Sequence, residues 1–104
     1  MRILSFAAAL SLILCTSGSL LAADVEVGRT LTERWCSSCH VVSDSQSKAT
    51  DQAPSFASIA EQPNFNVDKL AFFLLDPHPK MPSMALSRIE AANISAYIAT
   101  QKRP

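Results

Sequence analysis

No stretch of this sequence alternates apolar and polar residues as a half-buried strand would, and no block of like charge interrupts it. Cysteine is scarce, with three in 104 residues, and a second C-x-x-C pair is missing. Each absence excludes something. Without strands, the alternating strand and helix setting of a redox dithiol is gone. Without a second cysteine pair, a structural zinc site would need the awkward set Cys36, Cys39, His40 and His78, in which Cys39 and His40 are adjacent. With 9 basic against 9 acidic side chains, no basic surface for nucleic acid is implied, and long-range steering toward a strongly charged partner is weak. No repeat and no change of composition divides the chain, so one small domain is expected.

The first residues have the order of a secretory signal. Met1-Arg2 precedes an apolar run from Ile3 to Leu14; a polar break at Thr16 to Ser19 follows, and Leu20-Leu21-Ala22-Ala23 leads to a cut after Ala23. An uncleaved anchor is the alternative, because Ile3 to Ala23 is nearly long enough to span a bilayer; contact with a membrane is expected only then. Cys15 does not read as a lipidation site, since Leu14 before it is bulky. Cleavage takes away one arginine and no acid, leaving a domain of residues 24–104 with 8 basic and 9 acidic side chains. It also removes Cys15. In an oxidising compartment Cys36 and Cys39 must then be used, either as a disulfide or as thioethers.

These two cysteines belong to Trp35-Cys36-Ser37-Ser38-Cys39-His40, a C-x-x-C-H sequence with the spacing of covalent c-type haem attachment. On a helical turn, residues three apart share a face, so both thiols can reach the two vinyl groups of one porphyrin. The next residue, His40, is carried under the ring as a proximal iron ligand. A redox dithiol, a zinc site and two buried structural cysteines are the competing readings. A domain of this size has a marginal apolar core, and a covalent porphyrin would complete it, so the chain without haem is expected to be largely unfolded.

After the cut, Val27, Leu31 and Trp35 recur every four residues and predict a helix from Val25, with Gly28 inside it marking a close helix crossing. Val41 to Gln52 is polar, serine-rich and read as a surface loop without chemistry. Ala53-Pro54-Ser55-Phe56 opens a short helix through Phe56, Ile59 and Ala60, with Pro54 at its start. A proline at a helix start is locally favourable in itself; the functional reading is that a carbonyl here accepts the other ring N–H of His40. Asn66 caps a helix whose apolar face is Val67, Leu70, Ala71 and Leu74, thickened by Phe72, Phe73 and Leu75 and read as core and pocket wall. Asp76-Pro77 ends it. Ser87-Arg88-Ile89-Glu90 is a capping box, so the last helix begins near Arg88, carries Ile94, Tyr97 and Ile98, and ends in Gln101-Lys102-Arg103, whose charges suit a helix C-terminus.

Between these helices, Pro77-His78-Pro79-Lys80-Met81-Pro82-Ser83-Met84 is stiff and non-helical, suited to holding one side chain against a metal. A methionine sulfur favours reduced iron and raises the potential of a histidine-ligated haem. Met81, between Lys80 and Pro82, is the favoured sixth ligand and Met84 a core contact. Met84 and His78 are the alternatives.

Taken together, these motifs resemble the small soluble class I c-type cytochromes over nearly all of residues 24–104. Gly28 lies eight residues before Cys36, as in that family's first helix; Met81-Pro82 is similar to the bacterial M-P motif; Tyr97 follows Met81 by sixteen residues and matches the aromatic of the last helix. The resemblance implies an all-α single domain wrapped around one haem c. It carries Cys36 and Cys39 to the porphyrin, His40 and Met81 to the iron, and Pro54 to the support of His40. It further implies a periplasmic one-electron carrier between other redox proteins, a donor dehydrogenase and an acceptor oxidase or reductase, rather than an enzyme. A sensor with a labile Met81, a haem enzyme with His78 on the open side, and a fixed subunit of a dehydrogenase complex are the rivals. The lysine-rich surface of mitochondrial members is absent, so their docking mode does not carry over.

Overall fold

The structure, a computed structural model, describes residues 22–49, 53–77 and 79–104. The expected signal apart from Ala22 and Ala23, residues 50–52 of the expected loop, and His78 lie outside the described residues. Four helices follow in order: α1 (Val25–Trp35), α2 (Phe56–Ala60), α3 (Val67–Leu75) and α4 (Arg88–Ala99). No strand occurs among the described residues, and no helix there is long and apolar enough to cross a membrane.

Each helix begins where a side chain can take the orphan N–H groups of its first turn. Asp24 accepts from the Glu26 and Val27 amides, Ser55 from Ser58, and Asn66 from Lys69. Ser87 and Glu90 form the reciprocal capping box expected of α4. Ser87 also holds the Glu90 carboxyl below its ordinary range, chiefly because the Ser87 backbone N–H donates to it.

The last helix, α4, is the element on which the others rest. Ala91, Asn93, Ile94, Ser95, Tyr97 and Ile98 are all buried, and α1, α3 and α2 all pack against it. A Cβ on Gly28 would run into the Asn93 carbonyl and stand 3.0 Å from the Tyr97 Cβ, so the α1–α4 crossing requires glycine there. This crossing also corrects the expected face of α1. Leu31 packs on the core as expected and Trp35 borders the cavity described below, but Val27 is 44% exposed, and the buried residues are Gly28, Thr32 and Cys36, one position further along. Contact passes through the smallest residue, and the Thr32 hydroxyl is satisfied by donating to the Arg29 carbonyl at 2.9 Å.

Two further expectations are corrected. Leu74 is the buried residue of α3, Leu70 packs on the core from its margin, and Phe72 is 78% exposed, so α3 is an amphipathic cover on α4, less core than expected, and none of its residues lines the cavity described below as pocket wall. A 2.6 Å hydrogen bond from the Ser95 hydroxyl to the Val67 carbonyl sets its position. The chain end is not the last turn of α4, which stops at Ala99 with Thr100 as its cap. Arg103 instead turns back to Glu61 at the end of α2 and binds it through Nε at 2.9 Å and through the second guanidinium nitrogen at 3.0 Å. That pairing holds the Glu61 carboxyl below its usual range.

Candidate functional site

Just beyond the C-terminus of α1, the cap residue Cys36 has αR geometry, and the Cys39 and His40 amides donate back to its carbonyl at 3.2 and 2.9 Å. The turn thus places Cys36, Cys39 and His40 on one side of the backbone. All three line a single cavity of about 480 Å³, together with Trp35, Ser38, Ala53, Pro54, Lys80, Met81, Pro82 and Met84. Both cysteines are free thiols. Burial, with Cys39 nearby, pushes the Cys36 thiol up to about 11, so it stays protonated at neutral pH.

His40 is buried and its Nδ1 lies 2.5 Å from the Pro54 carbonyl oxygen. A carbonyl can only accept, so Nδ1 carries the proton and Nε2 is left with its lone pair. The Phe56 ring stands 5.5 Å away at 46°, and Tyr97 meets Phe56 edge-on at 6.4 Å. Pro54 does this from outside α2: Ser55 is the N-cap, so the proline precedes the cap instead of occupying the first turn. Its fixed φ aims the preceding chain, while the carbonyl makes the contact.

The backbone beyond His40 is pinned as well. Phe56 donates its N–H to the Val41 carbonyl at 2.9 Å, and the Tyr97 hydroxyl donates to the buried Val42 carbonyl at 2.8 Å. Burial raises the Tyr97 phenol above its ordinary range, which keeps it a donor. Here the surface-loop reading of 41–52 missed a residue. The Gln46 side chain accepts from the Val42 N–H at 3.0 Å and donates toward the carbonyls of Ser37 and His40 at 2.8 and 3.0 Å.

Met81 and Met84, which also line the cavity, come from the irregular described residues between α3 and α4. Both are half-buried, and Met81 packs on the core. Ala85, next to Met84, has φ 49°, a left-handed conformation unfavourable for a residue with a Cβ. Trp35 borders the cavity beneath the Arg34 guanidinium, 5.0 Å from its ring centroid. Among the described residues no group of three or more His, Cys, Asp or Glu could hold a bare metal ion.

No protein-family model matches the chain. Over 83 residues, covering 80% of both chains, it is 60% identical to a curated protein, cytochrome c-552 of Bradyrhizobium diazoefficiens. The chain belongs to the class I c-type cytochromes. Membership brings covalently bound haem c with its iron, a role in electron transfer, and redox proteins as partners. The residues of this cytochrome fit that group. Two free thiols, an imidazole whose outer nitrogen carries a lone pair, and thioether sulfurs border one largely apolar cavity.

Proposed function

We propose that this cytochrome is an exported carrier of single electrons with one haem, attached through Cys36 and Cys39 and ligated by His40 and Met81. The haem supplies an iron centre that takes up and gives back one electron. The observation that carries the reading is the convergence of both thiols, the His40 imidazole and the Met81 side chain on one cavity. Cys36 and Cys39 hold the ring to the turn after α1. Pro54 accepts the Nδ1–H of His40, which orients Nε2 and raises its basicity. Met81 offers a soft sulfur to the same cavity, and the prolines on either side of it restrict its movement. Trp35, Ala53, Pro54 and Pro82 supply apolar surface that keeps water out, so little need rearrange as charge changes.

No residue of the site is assigned as acid, base or nucleophile. Partners are donor and acceptor redox proteins in the periplasm, reached after cleavage behind Ala23. That cut leaves Asp24 first, and its backbone nitrogen donates to the Asn93 side chain at 2.8 Å, a contact able to seat the new terminus on α4.

The test compares Met81→Ala with Met84→Ala in the haem-loaded protein. Met81→Ala is expected to lose the ferric sulfur-to-iron charge-transfer band, lower the midpoint potential and bind carbon monoxide rapidly when reduced. Met84→Ala should keep the band. The reverse pattern contradicts the assignment, and rapid carbon monoxide binding by the wild type contradicts the carrier reading.

A further inference from the structure

We infer that Gln46 is a positioning residue for His40, a latch that closes the haem-attachment turn from the side opposite Pro54. The inference rests on the proposed ligation of iron by His40. Its geometric basis is one amide engaging four backbone groups. Gln46 Oε1 accepts from the Val42 N–H at 3.0 Å, while Nε2 stands 2.8 Å from the Ser37 carbonyl, 3.0 Å from that of His40 and 3.2 Å from that of Lys48. A primary amide has two donor hydrogens and one acceptor oxygen, so three carbonyls compete for its two N–H groups.

The sites it joins are telling. Ser37 lies between the two cysteines, His40 bears the imidazole, and Val42 is the residue whose carbonyl Tyr97 holds. One side chain therefore fixes the distance between the middle of the Cys-x-x-Cys turn and Val42, the second residue after the histidine. Pro54 restrains the ring of His40; Gln46 restrains its backbone. The loop is shaped for this: the Gln46 N–H donates to the Ser43 carbonyl at 3.2 Å and the Ser43 and Ser45 hydroxyls lie 2.9 Å apart, closing a turn that sends the amide back toward residues 37–42.

Neither isosteric replacement keeps this pattern. Gln46→Leu fills the space but removes donor and acceptor. Gln46→Glu keeps the length and the acceptor for Val42, yet turns the donating edge into an acceptor facing carbonyl oxygens. A side chain that only fills a partly exposed gap would tolerate glutamate at least as well as leucine, whereas a latch that works by donation is hurt most by glutamate.

The experiment uses the haem-loaded wild type and both variants, with amide hydrogen exchange and proton NMR of the ferric protein. Gln46→Leu should speed exchange of the Val42 amide about tenfold, the loss expected for one hydrogen bond, while Gln46→Glu should leave it protected. Both should move the haem-methyl and His40 ring resonances, glutamate more than leucine, with His40 still bound. If the glutamate variant does not accumulate, Gln46→Asn, too short to span the turn, should move the resonances in the same way. Haem-methyl and His40 resonances unchanged in the variants would overturn the inference. A wild-type spectrum without an iron-bound imidazole would remove the underlying reading instead, before any variant is compared.

Discussion

The two sides of the cavity are built differently. On the His40 side, the ring nitrogen, the Val41 and Val42 carbonyls and the Val42 amide are each held by a named partner from another part of the chain, and the Phe56 ring packs beside the imidazole. On the Met81 side, the described residues from 76 to 87 form neither helix nor strand, are anchored at the ends by the α3 cap and the α4 capping box, and include Ala85 in a left-handed conformation. His40, the proposed proximal ligand, is placed by a network of hydrogen bonds, and Met81, the proposed sixth ligand, sits in a proline-rich segment anchored at its ends. Disturbing the first should therefore affect fold and ligation together, while disturbing the second should affect ligation with less damage to the fold.

The largest expected effect breaks the His40 side at its foundation. Gly28→Ala should destabilise the haem-loaded protein by on the order of 3 kcal/mol, because α1 must move off the Asn93 carbonyl. Denaturant unfolding measures this, and a change within about 0.5 kcal/mol would mean that the crossing is looser than described. Next is Tyr97→Phe, which leaves the buried Val42 carbonyl without its donor and should cost about 1 to 2 kcal/mol by the same method.

The Met81 side should respond more weakly. Ala85→Gly removes the left-handed penalty at some cost in unfolded-state entropy and should stabilise by about 0.5 kcal/mol, with the sulfur-to-iron band retained. Smallest is an acid-limb effect at the loop's far anchor. Hydrogen bonds from Ser87 lower the folded pKa of Glu90, so the capping box contributes fully above the unfolded glutamate value of about 4.3 and is lost as pH falls through the folded pKa. Thermal melts of wild type and Glu90→Ala should accordingly differ near neutral pH and draw together in acid.

How much of this was legible in the sequence follows from where the partners lie. The Asn66 cap and the Ser87 capping box were legible, and Cys36, Cys39 and His40 stood out as a group that does line one cavity, because these signals sit within a few residues of one another. Gly28 and Tyr97 were placed by resemblance as well as by pattern. The true face of α1 was missed because Thr32 is polar, and its burial depends on a hydroxyl bond that hydropathy does not register. Asn93 and Ser95 are buried for partners 69 and 28 residues away, beyond any local pattern. Gln46 looked like one more polar residue in a serine-rich loop; only the fold shows its amide turned back onto the haem-attachment turn.

The central claim is that His40 and Met81 hold one iron from these unlike walls. A spectroelectrochemical titration of the haem-loaded protein tests it most directly, following the ferric sulfur-to-iron band as the potential is swept. The account expects a clearly positive midpoint with the band present in the oxidised protein. A strongly negative midpoint without the band would contradict it.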